Sequence, residues 1–317
     1  MRLTMIQQHG ARTLVTVTVT CVLALACKSE SLKSLDKSAT ESTSIAEAGN
    51  EAKTSAAMRI VSVGATTSEV LVALGLGQSI VAIDRTSMNV EGAKGKPMVG
   101  YYSKLSAEGI LAQNPTHVLG MTNAGPSAVI KQLEDTGITV SLFETPEKLE
   151  GTKAFIKSLG AATGKVKEAQ ATVDYLSADI AVLEQTTAKI EKRPKAMFLY
   201  ARGTRTLMVA GRKSAAHEML RLAGADNALG NIEAGFVPLT AEAAIKAAPD
   251  VIVVPTKGAE SVGGIDGVIG LPGIAQTPAG QNRRIVTMND LELLSFGPEC
   301  GKAALKLSKL LMAGDAK

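Results

Sequence analysis

The side chains in this sequence that are able to do chemistry are few, and their types narrow what that chemistry is. Of three histidines, His9 falls within the first 26 residues, leaving His117 and His217 for acid–base work. No Cys-x-x-Cys, His-Glu-x-x-His, Gly-x-Ser-x-Gly or phosphate-binding Gly-rich loop occurs. An enzyme is therefore not expected. A binder of bare divalent metal is disfavoured too, because no cluster of His and carboxylate falls at strand ends. What remains is a set of tyrosines and cations in polar loops: Arg85, the pair Tyr101 and Tyr102 with Lys104, then Tyr200, Arg202 and Arg205, and Lys257. From residue type alone, Tyr101 and Tyr102 are a pair packed at a loop. The arginines are either partners for anions or solvated loop charges.

The elements that must position these loops are legible in the patterning. With 317 residues, 45% hydrophobic and 20% charged, the chain can form one large or two medium domains. Aromatics at 3% and the absence of Trp argue against stacking platforms for single-stranded nucleic acid. Beyond the first 26 residues, 32 basic residues face 30 acidic ones, which is no electrostatic footprint for nucleic acid. From residue 59 onward, short apolar runs (Ile60 to Val63, Val81 to Ile83, Val118 to Gly120, Thr139 to Phe143) alternate with helical patterns, the first predicted from Ser68 as N-cap to Leu74. The fold class is α/β, with mostly parallel sheets covered by helices.

An internal echo divides the folded part. LSAEGILAQNPTHVLG (105–120) and LTAEAAIKAAPDVIVV (239–254) share Leu, Ala, Glu and Pro at an offset of 134 residues, and each passes from a capped helix through Pro to a buried strand. A weaker echo pairs Glu69, Leu71 and Gly75 with Glu218, Leu220 and Gly224. Two Rossmann-like lobes are predicted, 59–163 and 194–317. Between them, residues 164–193 repeat apolar positions at steps of three and four before Pro194, predicting one helix of roughly 40 Å that joins the lobes. Ligands of open α/β sheets sit at the carboxyl ends of strands, so the loops carrying the tyrosines and cations would line one interlobe cleft. His117 is expected at a core or edge position, and His217 within a second-lobe helix.

The N-terminus reads as an address. Arg2 and Arg12 precede an uncharged apolar run, residues 14–26, ending Ala24-Leu25-Ala26, as in a secretory signal peptide over 1–26. Cys27 then resembles the acceptor of a bacterial lipoprotein, with ordinary cleavage after Ala26 the other reading. Residues 28–58 hold ten Ser or Thr and nine charges, a composition unable to bury enough surface to offset ordering entropy, so 27–58 is read as an anchor Cys and flexible tether. No intramolecular disulfide is expected.

Four stretches carry a more specific resemblance: RIVSVGATTSEVLVALG, VGYYSKLSAEGILAQNPTHVL, AAPDVIVVP and GLPGIAQTPAGQNRRIVTMNDLELLSFGP. In order, over nearly all of residues 59 to 312, the chain resembles the haem-binding periplasmic proteins of bacterial haem ABC importers. The resemblance implies a class III periplasmic binding protein with little hinge closure, carrying haem as transported ligand. In that family the Tyr following Gly in a Gly-Tyr-x-Arg loop is the axial ligand of haem iron. This implies Tyr101 here, whose phenolate is a hard oxygen donor suited to ferric iron; Tyr102 is the alternative ligand. Ser103 stands at the Arg position and Lys104 follows it. A cation beside the phenol favours the bound phenolate, and Lys104, displaced by one residue from the family's Arg, is the candidate for that role. Leaving a strand toward the cleft, Tyr200 would supply a second oxygen ligand or stack on the porphyrin, while Arg202 and Arg205, with Arg85, would meet the propionates. Glu108 and Glu242, one on each lobe, correspond to carboxylates that pair with Arg residues of the permease dimer. A monomer in the periplasm or at the cell surface follows, attached to the membrane only through a lipid on Cys27. A ferric siderophore or cobalamin on the same scaffold is the alternative ligand.

Overall fold

The computed structural model describes residues 58–313. The expected signal segment, Cys27 and nearly all of the tether lie outside the described residues.

The first sheet is built from β1 (Ile60–Ser62), β2 (Ile80–Ile83), β5 (His117–Met121) and β6 (Thr139–Phe143), in the order β2-β1-β5-β6 with every pair parallel. Between β2 and β5 a two-stranded hairpin pairs β3 (Gly100–Tyr101) with β4 (Lys104–Leu105). Every residue of β1 is buried, as expected of a strand covered on both faces. The second sheet comprises β7 (Lys195–Arg202), β8 (Thr206–Ala210), β9 (Asp226–Asn227), β10 (Phe236–Pro238), β11 (Val251–Pro255) and β12 (Ile285–Met288). Its order is β10-β8-β7-β11-β12, with β9 also paired to β7.

This second sheet is parallel at three of its five pairings, β11–β12 among them, and antiparallel at the other two. β7 pairs in parallel with β9 and β11, but β7–β8 and β8–β10 are antiparallel. The cause is local. A turn at Gly203-Thr204-Arg205 folds β7 back directly into β8, with no crossover helix between them. The lobes nonetheless share the echoed unit. Ser106 and Thr240 both cap their helices, accepting the backbone N–H three residues on at 3.1 Å. Asn114 and Ala248, at equivalent positions, both take positive φ (47° and 44°) where the chain turns from helix toward Pro and strand. Thr116 and Asp250 likewise accept the backbone N–H of Arg59 and Lys195, beside the strands that follow those residues.

The helix between the lobes runs Val166–Thr187, about 33 Å at 1.5 Å per residue, with Ala169, Val173, Leu176, Ile180 and Leu183 buried. It ends earlier than residue 193. Arg193 is disfavoured from helical conformation by Pro194, and its guanidinium is held by the carbonyls of Arg221 and Ala225 and by Asp226. One hydrophobic core runs from Ile60, Leu71 and Leu119 through Phe155, Leu176 and Leu183 of the helical layer to Phe198, Val253 and Phe296. Two further cores cover the opposite faces of the sheets. Apolar burial across both lobes and the helix is thus continuous, at about 25 cal/mol per Å² removed from water.

The first helix begins three residues before its expected cap, spanning Ala65–Ala73 after Gly64. Ser68 is buried inside it. Its hydroxyl bonds Ser62 Oγ at 2.7 Å and Ser87 Oγ at 2.9 Å, which is why it does not cap the helix.

Candidate functional site

Strand-end loops of both lobes meet around a cleft of about 560 Å³. The first lobe supplies Thr66, Arg85, Met88, Tyr101, Tyr102 and Met121; the second supplies Tyr200, Arg202, Lys257, Asp290, Leu294 and Ser295. Six of the residues singled out in the sequence therefore share one cavity: Arg85, Tyr101, Tyr102, Tyr200, Arg202 and Lys257. Lys104 and Arg205 are not among its lining residues. Lys104 pairs across the hairpin from Tyr101 and is exposed, while Arg205 sits in the exposed turn between β7 and β8.

Tyr101 owes its position to a constrained hairpin. Gly100 has φ +115°, and a Cβ there would come 2.5 Å from the Lys104 carbonyl oxygen, so only glycine fits. The Gly125 N–H donates to Tyr102 O, and the Leu105 N–H donates to Gly125 O, each at 2.8 Å, pinning both arms. The two rings lie 4.4 Å apart, tilted by 43°, and Tyr101 remains 42% exposed. Partial loss of solvent pushes the Tyr101 phenol up to about 12. A hydrogen bond with Tyr102 and the negative potential of Tyr102, Tyr200 and Asp84 act in the same direction. In the free cleft Tyr101 is therefore a neutral phenol, and a strong Lewis acid bound at its oxygen would displace the proton to solvent.

The loop carrying Arg85, Met88 and Asn89 hangs on one buried carboxylate that the sequence reading did not single out. Asp84 accepts from the Gly64 N–H at 2.8 Å, the Thr86 N–H at 3.0 Å, the Thr86 hydroxyl and the Ser87 hydroxyl at 2.8 Å. The Ala65 N–H donates to Thr86 Oγ1 at 3.0 Å, so strand end, helix start and loop are tied together. An Asp with Thr two residues on, just after a strand, is a cap signature that could have marked this residue.

Across the cleft, the Arg202 guanidinium carbon lies 4.5 Å from the Tyr200 ring centroid and Arg202 Nη2 donates to Asp290 Oδ1 at 3.0 Å. Phe236 meets Tyr200 edge-on at 6.2 Å. Behind the cleft, Thr66 and Ser295 hydroxyls bond at 3.1 Å, and Ser295 also donates to Glu69 in a short hydrogen bond. The Glu69 carboxyl lies inside although the residue as a whole is only partly buried. Burial raises its pKa from 4.5 to about 7, opposed by the Ser295 bond and reinforced by Glu299.

The remaining sequence candidates lie elsewhere. His117 opens β5 and bonds the Thr116 hydroxyl at 2.8 Å, and burial lowers its pKa. His217 lines a separate second-lobe cavity with Arg212, Arg221 and Lys246. Glu108 and Glu242 are exposed in the first turns of their helices. Cys300 is a buried free thiol, pushed up to about 12 by burial. Among the described residues no group of three or more His, Cys, Asp or Glu could hold a metal ion, and no helix is long and apolar enough to cross a membrane.

The periplasmic heme-binding protein RhuT of Roseiflexus sp. RS-1 superposes with a TM-score of 0.78 and 36% identity, covering 81% of this chain and 99% of RhuT. An uncharacterized ABC transporter substrate-binding lipoprotein of Bacillus subtilis, YvrC, is 28% identical over 198 residues, 62% of each chain, so this chain matches less than two thirds of YvrC's length. The vitamin B12-binding protein of Vibrio campbellii is 24% identical over 196 residues, covering 62% of this chain and 70% of that protein. Residues 60–291 match the model of the periplasmic binding protein family, and the chain belongs to that family.

Proposed function

We propose that this protein binds haem outside the cytoplasm and delivers it to the permease of an ABC importer, without chemical change to the ligand. The observation that carries this reading is the cleft itself. A partly exposed tyrosine, Tyr101, lines a cavity with apolar and thioether side chains and cations of both lobes, in a chain 36% identical to a heme-binding relative. A flat, amphipathic, dianionic iron complex suits that lining: ring faces against Met88, Met121, Leu294 and Tyr200, iron at a phenol oxygen, carboxylates at cations.

In this mechanism haem enters edge-on. Tyr101 loses its proton and ligates Fe(III), a hard acceptor for a phenolate. Arg85 from the first lobe and Lys257 from the second meet the propionates, and Tyr200 supplies a ring face or a second oxygen. Lys104 and Arg205, set away from the lining, act at most through long-range field. Glu108 and Glu242 dock the loaded protein on the two halves of the permease. Lipidation at Cys27 tethers a monomeric domain to the membrane.

The test is an absorption titration of the purified chain with hemin, beside Tyr101→Phe. A saturable tyrosinate-ligated ferric spectrum, lost in Tyr101→Phe, is expected. No saturable shift with hemin, together with tight binding of cyanocobalamin or a ferric siderophore, would replace haem by that ligand. Unchanged ligation in Tyr101→Phe would move the ligand to Tyr102 or Tyr200.

A further inference from the structure

Asp290 is the one carboxylate among the side chains lining the cleft, and both of its oxygens are engaged within its own lobe. Oδ1 accepts from Arg202 Nη2 at 3.0 Å, and Oδ2 accepts from the Lys257 backbone N–H at 3.2 Å. Its place is set by Asn289, which caps the short helix Asp290–Leu294 by accepting the Leu291 N–H at 2.9 Å. Arg202 is held on its other sides as well. Nη1 donates to the Ala201 carbonyl at 2.9 Å and the guanidinium lies over the Tyr200 ring. The Asp290 side chain is only 19% exposed, so solvent screens this pair less than a surface one.

A ligand carboxylate approaching Arg202 would therefore meet a cation already neutralised and a fixed negative charge beside it. Arg85 from the first lobe and the Lys257 ammonium from the second differ, since neither side chain has a hydrogen-bond or ion-pair partner among the described residues. Specificity of this kind comes from the repulsive group as much as from the attractive ones.

We propose that Asp290 sets how many carboxylates the cleft accepts: by closing Arg202 it leaves Arg85 and Lys257 as the two open anchors, selecting a tetrapyrrole with two carboxylates over one with four. This rests on the haem reading above and deepens it. Asp290 acts through Arg202, as a specificity-determining residue.

The experiment titrates the full chain and its Asp290→Asn variant with hemin, iron coproporphyrin (four carboxylates) and hemin dimethyl ester (none), followed by Soret absorption. The parent is expected to bind hemin about tenfold more tightly than either analogue. In Asp290→Asn, iron coproporphyrin is expected to gain about tenfold while hemin changes by less than about threefold. Asp290→Ala, with thermal melts recorded for both variants, provides a second test of the same direction. A coproporphyrin-to-hemin ratio unchanged in both variants, or a parent that takes four carboxylates as well as two, overturns the assignment while hemin still binds. Absence of saturable binding by every porphyrin overturns the haem reading and this assignment with it.

Discussion

Glu69 offers a quantitative test of the interlobe packing. Its carboxyl faces Ser295 from the opposite lobe, with Glu299 adding repulsion, and burial lifts its pKa from 4.5 to about 7. In the unfolded chain the group titrates at its ordinary value, so between pH 4.5 and about 7 the native state binds more protons than the unfolded one. Stability from this group is therefore fully present below pH 4.5 and is lost as pH rises through about 7. At 1.36 kcal/mol per pH unit, the shift corresponds to a loss of about 3 kcal/mol across that window. Glu69→Gln keeps the shape and the acceptor for Ser295 but cannot ionise. Urea melts of parent and variant from pH 4.5 to 8.5 isolate the effect in their difference, since all other carboxylates cancel. The two proteins should be of similar stability at the acid end, with Glu69→Gln the more stable by up to about 3 kcal/mol at pH 8. A difference that stays flat across the range would refute the reasoning.

Three further predictions concern the cleft and one the docking surface. Because the Tyr101 phenol titrates near 12, ligation near neutral pH should release one proton, and hemin affinity should rise about tenfold per pH unit between pH 7 and 9, a slope absent in Tyr101→Phe. Ser103→Arg should strengthen hemin binding about tenfold in absorption titrations, by placing a guanidinium two residues beyond the phenol on the hairpin. Asp84→Ala strips the acceptor from the Gly64 and Thr86 N–H groups and two hydroxyls, so chemical denaturation should show a loss of roughly 3 kcal/mol. Its hemin affinity should fall as well, because the Arg85–Asn89 loop loses its anchor. The double variant Glu108→Lys, Glu242→Lys should bind hemin as the parent does, yet lose most transport in vesicles carrying the permease, measured by hemin accumulation.

What the sequence made legible and what it did not divide along a physical line. Strand-forming runs, the echoed capped helices and the 3–4 apolar stripe of the interlobe helix are local patterns, and local patterns report backbone state directly. The rule that open α/β sheets bind at strand ends then gathered Arg85, Tyr101, Tyr102, Tyr200 and Arg202 into one cleft without any contact being known. Lys104 and Arg205 sit in the same loops but outside the lining, because which face of a short hairpin or turn a side chain takes depends on packing. Ser295 pairs with Glu69 across 226 residues and with Thr66 across 229, separations no periodicity encodes. The antiparallel β7–β8 pair was hidden because a tight turn and a crossover start alike, with an apolar strand followed by a polar loop.

The same long-range bonds bear on how the cleft works. Ser295 and Leu294 line the cavity, while Ser295 bonds Thr66 and Glu69, and the Thr152 hydroxyl donates to Phe296 O at 3.0 Å. The wall contributed by the second lobe is thus fastened to the first lobe at the point where ligand would sit. A hinge that swung the lobes apart would have to break these bonds and open the core shared by Leu71, Leu176 and Phe296. Buried polar groups parted from their partners cost about 1–3 kcal/mol each, and the apolar surface exposed would add to that. Little hinge motion is therefore available on binding, and affinity must come from a cleft already shaped. In such a cleft the fixed partners of each cation matter more than their number: Arg202 is held by Asp290 before any ligand arrives, whereas Arg85 is free to meet one.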